Sequence, residues 1–207
     1  ASFTLDTVEY NPPKDLSKIM PSTLPVENKG SRTAYANISN IKVATIENIT
    51  MLTAEDLQNI GATPWSLSNT IKENVEYPQV LEIVFNNQDV INAFLERKDI
   101  KPLLTDPNQI ISLVSSNDNS VVEFVQGVVF QMVINNEELL FNLSNSALMQ
   151  SVLNSPSAKY FLANPQEAGK LVKGNDTLTS ILPNENLKKL LFSNPNTNGF
   201  AKEIYFE

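Results

Sequence analysis

The chain has 207 residues, a net charge of -8, an isoelectric point near 4.6, and neither Cys nor His. That composition excludes thiol nucleophiles, disulfides and Cys/His zinc sites, and it removes the commonest general base. The basic residues are few and scattered, Lys188-Lys189 being the only adjacent pair in the second half, which argues against nucleic acid and against an anionic membrane as partners.

Residues 1–36 carry Pro12, Pro13, Pro21 and Pro25, followed by Lys29-Gly30-Ser31. Proline fixes φ and withholds a backbone donor, so this stretch predicts an extended N-terminal arm rather than a helix or central strand. Its opening, ASFTLDTVEY, lacks the basic and apolar regions of a signal peptide and reads as a mature end left after removal of an initiator Met. Residues 37–50, NISNIKVATIENIT, bring Ile38, Ile41, Val43, Thr45 and Ile46 close together, and their partial alternation predicts a small β element.

Helical signals begin at Thr53. Thr53-Ala-Glu-Asp56 is spaced as a capping box, and Gly61 is placed to end that helix in the left-handed region. Thr63-Pro64 opens the next helix, with Thr as N-cap and Pro at the first helical position, and Trp65, Leu67 and Ile71 supply its apolar side. From there a phase of nine to twelve residues runs on. Its starts fall at Thr63, Asn74, Asn86, Asp106, Asn117, Asn135, Asn145, Asn154, Asn164, Asn175, Asn184 and Asn194. Arg97-Lys98-Asp99 fills one long gap as a degenerate start. The other gap, through Val121–Ile134, reads as two units fused into one longer buried helix, with Gly127 at the would-be joint. That run is too short and too polar to span a bilayer.

Roughly one residue in eight is Asn, well above ordinary usage. Asn, Asp and Ser accept from the free N–H groups of a first helical turn. Pro107, Pro156, Pro165 and Pro195 follow such residues, and pairs such as Val152-Leu153, Phe161-Leu162 and Leu190-Leu191 close the units. Helices of two turns are not stable alone, so each must bury its apolar pair against neighbours. The expected fold is mainly α: an array of short Asn-capped helices over 51–199, preceded by the arm (1–36) and the β element (37–50). A docking tail over 200–207 follows. An irregular all-α globule with short Asn-capped helices satisfies the same pattern.

No catalytic constellation emerges. Glu55-Asp56, Glu137-Glu138 and Asp118 read as charges favoured at helix N-termini, since adjacent helical positions do not face one cleft. No Gly-rich phosphate loop, nucleophile elbow or EF-hand spacing occurs. The expectation is a non-enzyme with no cofactor and no metal. Trp65 fits either an interface anchor or a core role, while Phe200, Ile204, Tyr205 and Phe206 call for a docking surface.

The segment Asn145–Asn164 resembles a decapeptide repeat of bacteriophage virion proteins of the tail and structural kind. That pattern is Asn/Ser-Ser-x-x-Ala/Met-x-x-Val-x. Asn145-Ser146-Ala147-Leu148-Met149-Gln150-Ser151-Val152-Leu153 and Asn154-Ser155-Pro156-Ser157-Ala158 follow it. The later units keep its phase, residues 64–134 share only its spacing, and residues 1–50 do not share it. The resemblance implies a scaffold in a head, neck or tail. Its partners would be other virion proteins and further copies of itself, in particles assembled in the host cytoplasm. The alternative is a helical-repeat binding module of cellular origin. The structural starts at stake are Asn117, Asn135, Asn145, Asn154, Asn164, Asn175, Asn184 and Asn194, with Trp65, Phe200, Tyr205 and Phe206 as candidate interface residues.

Overall fold

The computed structural model describes residues 43–206, which belong to one compact unit. The expected arm, residues 37–42 of the expected β element and the last residue of the tail lie outside the described residues. Within them there are sixteen helices and no strand. In chain order these are α1 (Ile46–Thr50), α2 (Ala54–Ala62), α3 (Pro64–Glu73), α4 (Pro78–Phe85), α5 (Gln88–Leu95), α6 (Lys101–Thr105), α7 (Pro107–Ser115) and α8 (Asn119–Val125). There follow α9 (Val128–Ile134), α10 (Glu137–Ser144), α11 (Ala147–Leu153), α12 (Pro156–Ala163), α13 (Pro165–Lys173), α14 (Asp176–Thr179), α15 (Glu185–Ser193) and α16 (Asn198–Phe206).

The short helices start where the caps put them. Thr53 and Asp56 form the reciprocal capping box. Thr63 caps α3 through Ser66 N, with Pro64 at its first position. Residues 43–50 correct the β expectation. Thr45 accepts from Asn48 N at 3.1 Å and opens α1, so its neighbouring β-branched residues enter a five-residue helix. The first turn is nucleated by that cap, and Ile49 is buried against the fold, which outweighs strand propensity. The β element is therefore absent from 43–50, and α1 packs on α4 with the rest of the array.

Two glycines also differ from expectation. Gly61 lies inside α2 and is buried. A Cβ there would overlap the backbone carbonyl of Val90, so the residue permits the close approach of α2 to α5, the most extensive helix pair in the fold. Gly127 separates α8 from α9, and the anticipated fused helix over Val121–Ile134 is two helices. Gln131 spans the joint, donating from its side chain to the Val125 carbonyl at 2.7 Å.

The helices wind as an array. Helix α3 meets α9, α4 meets α10 and α11, α5 meets α11, α6 meets α12, α7 meets α12 and α13, and α8 meets α14. A second turn of short helices is thus laid on the first, with α15 set against α10. Helix α2 packs on α3 and α5 near one end of the array, and α16 packs on α13 and α15 near the other. The apolar core is densest in the first turn. Val80, Leu81, Val84 and Phe85 of α4 and Val90 and Ile91 of α5 are buried to 1% exposure or less. In the second turn the buried positions are mostly small: Ser144, Ser146, Ser155, Ser157, Ala168 and Gly169. The pairs Val152-Leu153, Phe161-Leu162 and Leu190-Leu191 are only half-buried.

Candidate interaction surface

The recurrent Asn residues do more than cap. At Asn135, Asn145 and Asn154 the phase is one residue early: each ends a helix as its C-cap, and the following Asn136, Ser146 or Ser155 is the N-cap of the next. Asn117 sits at φ 58°, in the left-handed region that Asn tolerates, and Asp118 caps α8. Asn164 closes α12 and precedes α13 without a side-chain cap, while Asn194 closes α15. Asn175 and Asn184 are N-caps as expected. Asn74 and Asn86 are C-caps.

The physical reason lies in the amide. The last carbonyls of a helix lack partners, and an Asn NH₂ can donate back to one of them. Asn86, Asn135, Asn145 and Asn164 donate to the carbonyls of Glu82, Gln131, Phe141 and Tyr160 at 2.7–3.0 Å. Ser146 and Ser155 serve both sides of a joint. Their hydroxyls donate to Leu143 and Val152 carbonyls and accept from Met149 N and Ala158 N.

The same groups hold one turn to the other. Asn86 Oδ1 accepts from Ala147 N, 61 residues away, at 2.8 Å. The Asn175 amide donates to the Val114 carbonyl at 3.0 Å while its Oδ1 accepts from Leu178 N. Ser157 donates to the Leu103 carbonyl, and Asn186 to the Ile134 carbonyl. Asn184 donates to Asn135 Oδ1 at 3.1 Å. In each case a residue at the start of a second-turn helix meets the body or end of a first-turn helix. Lys189 and Glu137 add an exposed ion pair at 2.6 Å, which raises the Lys189 pKa through the hydrogen bond. An exposed pair of this kind contributes little.

An open depression of about 640 Å³ lies against α2 and α5, lined by Gln58, Asn59, Pro64, Ala93 and Arg97 among others. Arg97 is not available there as an anion site. Its guanidinium forks onto Asp99 at 2.9 and 3.0 Å, holding that carboxyl below its usual pKa, and it lies over the Phe94 ring. Among the described residues no group of three or more acidic side chains is arranged to hold a metal, and no helix is long and apolar enough to cross a membrane.

What remains is an apolar surface. Trp65, at the second position of α3, is 51% exposed, and Phe124, Val128, Phe141 and Phe206 are each more than 60% exposed. Phe124 pairs with Phe130 across the Gly127 joint, ring centroids 5.0 Å apart. The candidate interface residues therefore separate. Trp65 and Phe206 face outward, whereas Phe200 is half-buried in α16 and Tyr205 is engaged within the fold. The Tyr205 hydroxyl donates to the Leu182 carbonyl at 2.7 Å and its ring stacks near Phe192, so the end of α16 is anchored to the linker between α14 and α15. Phe124, Val128 and Phe141 were not singled out from sequence. Each sits within an apolar run, and only the break at Gly127 and the packing of α10 leave them outside.

Compared with known proteins, the chain matches no family model, no curated protein and no solved structure.

Proposed function

We propose that this chain is a structural component of a bacteriophage virion, in a head, neck or tail position, acting in particle assembly through protein–protein contacts and without enzymatic activity. The observation that carries the reading is the row of outward apolar residues, Trp65, Phe124, Val128, Phe141 and Phe206, on a scaffold whose polar side chains are spent on joining short helices. Large aromatic residues exposed on a rigid surface favour a protein partner. The Asn145–Asn164 repeat points to the virion as the setting. The acidic balance leaves nucleic acid outside the reading.

The test is composition of purified particles. Mass spectrometry and immunogold labelling of particles banded on a density gradient are expected to find this chain in fixed stoichiometry with the other virion proteins, retained after a high-salt wash. Absence from banded particles, together with capture of a specific peptide by the soluble chain, would replace this reading with a cellular helical-repeat binding module.

A further inference from the structure

We infer that the array continues between molecules: the starting edge of one copy docks on the ending edge of a second copy, head to tail, in the register that joins the two turns inside one chain. This rests on the reading that the chain works by protein contacts in an assembly.

The internal rule comes first. Where the second turn meets the first, early residues of the later helices reach the ends and bodies of the earlier ones. Ala147 is the first residue of α11, and Ser157 and Asn186 are the second residues of α12 and α15. Their acceptors are the Asn86 cap, the Leu103 carbonyl and the last carbonyl of α9.

Both halves of that arrangement recur without a partner. Thr63-Pro64-Trp65 is built like Ser155-Pro156-Ser157: a hydroxyl N-cap, Pro at the first position, and a hydrogen-bond donor at the second. Ser157 is buried against the first turn, whereas Trp65 is half-exposed at the starting edge. At the other edge, Asn145 and Asn164 repeat the Asn86 cap, each donating to the carbonyl four residues before it. Asn86 Oδ1 takes a backbone N–H from the next turn, and the Oδ1 atoms of Asn145 and Asn164 take nothing among the described residues. Beside them stand Phe141, exposed at the end of α10, and the half-buried Val152, Leu153, Phe161 and Leu162. The equivalent α4 and α5 side chains, Phe85 and Ile91, are fully buried where the next turn covers them.

A second copy fits this edge better than an unrelated partner does. The edge continues an interface this sequence already makes with itself, and the complementary N-terminal cap is on the same chain. The contact uses two different surfaces, so it is heterologous, and it propagates unless its rotation closes a ring.

Trp65 is the only tryptophan, so its fluorescence reports the contact in the full chain. Analytical ultracentrifugation and Trp emission would be followed against concentration for wild type, Trp65→Ser and Phe141→Ser, with circular dichroism confirming that both variants remain folded. The expected wild-type result is growth beyond a dimer with a blue shift of emission. Each variant alone stays monomeric at concentrations at least about tenfold higher. An equimolar mixture of the two forms a 1:1 dimer and stops, because each retains one good edge. A monomeric wild type at all concentrations, variants that still assemble, or a mixture that fails to dimerise overturns the inference. Monomeric behaviour of a chain that still bands with particles defeats this contact and leaves the virion reading standing. Head-to-tail growth of a chain absent from particles does the reverse.

Discussion

Replacing Asn175 tests how the two turns are held together. Its side chain is 2% exposed and works twice, capping α14 through Leu178 N at 3.0 Å and donating to the Val114 carbonyl at 3.0 Å. Asn175→Ala removes a helix cap, worth about 1 kcal/mol. It also leaves a buried carbonyl with one donor fewer, at about 1–3 kcal/mol. The expected loss is about 2–4 kcal/mol, which for a unit of this size lowers Tm by roughly 4–16 °C. Asn175→Asp separates the two roles: the carboxylate keeps the cap and loses the donor, and it meets the Val114 carbonyl with like charge. It is expected to be no more stable than Asn175→Ala. Asn154→Ala, at an exposed C-cap whose side chain makes no cross-turn bond, is expected to cost under about 0.5 kcal/mol. Urea unfolding of the three variants decides the matter. Equal, small losses at Asn175 and Asn154 would refute the view that Asn amides join the turns.

Other perturbations probe separate parts of the account. Gly61→Ala gains about 0.5–1 kcal/mol of helix propensity but forces α2 off the Val90 backbone at about 1–3 kcal/mol, so urea unfolding should show net destabilisation; a stabilised variant would mean the helices are not in close contact. Phe85→Ala removes a fully buried ring at the centre of the first turn and should cost about 3–5 kcal/mol by the same measurement. Burial, and secondarily Glu185, raises the Tyr205 pKa above its usual value of 10.0. The neutral phenol is therefore favoured by folding, and its contribution is present below pH about 10 and lost as pH rises through the folded value. Tyr205→Phe should flatten the alkaline limb of a Tm–pH profile, and an unchanged limb would contradict the assignment. Asp118 shifts the other way, because the Ser120 backbone N–H bonds its carboxylate. Its contribution is present above the ordinary carboxylate range and lost as pH falls through the lowered value, so Asp118→Asn should weaken the acid dependence of Tm.

The ten-residue phase and the Thr53 and Thr63 caps were legible because their signals are local: a hydroxyl, a Pro at the next position, a carboxylate three residues on. The Asn residues were harder to place. Where Asn-Asn or Asn-Ser spans a joint, both residues have cap chemistry, and sequence does not say which closes one helix and which opens the next. Residues 43–50 were misread because β-branched residues carry strand propensity, while a single Thr45 cap and the burial of Ile49 settle a helix. Gly61 was misread because a glycine near a helix end fits a cap as well as it fits a close crossing, and the crossing partner Val90 is remote in sequence. The exposed surface was hidden for a related reason. How many units make a turn decides which apolar pairs are covered, and a repeat sequence states the phase without stating that number.

The most direct test of the central claim is imaging of the assembled particle at side-chain resolution with this chain traced among its neighbours. The account predicts copies in contact through their array edges, Trp65 of one against the Asn145 and Asn164 caps of the next, and Phe141 covered. A particle in which this chain is absent, or in which Trp65 and Phe141 both remain in solvent, would contradict it.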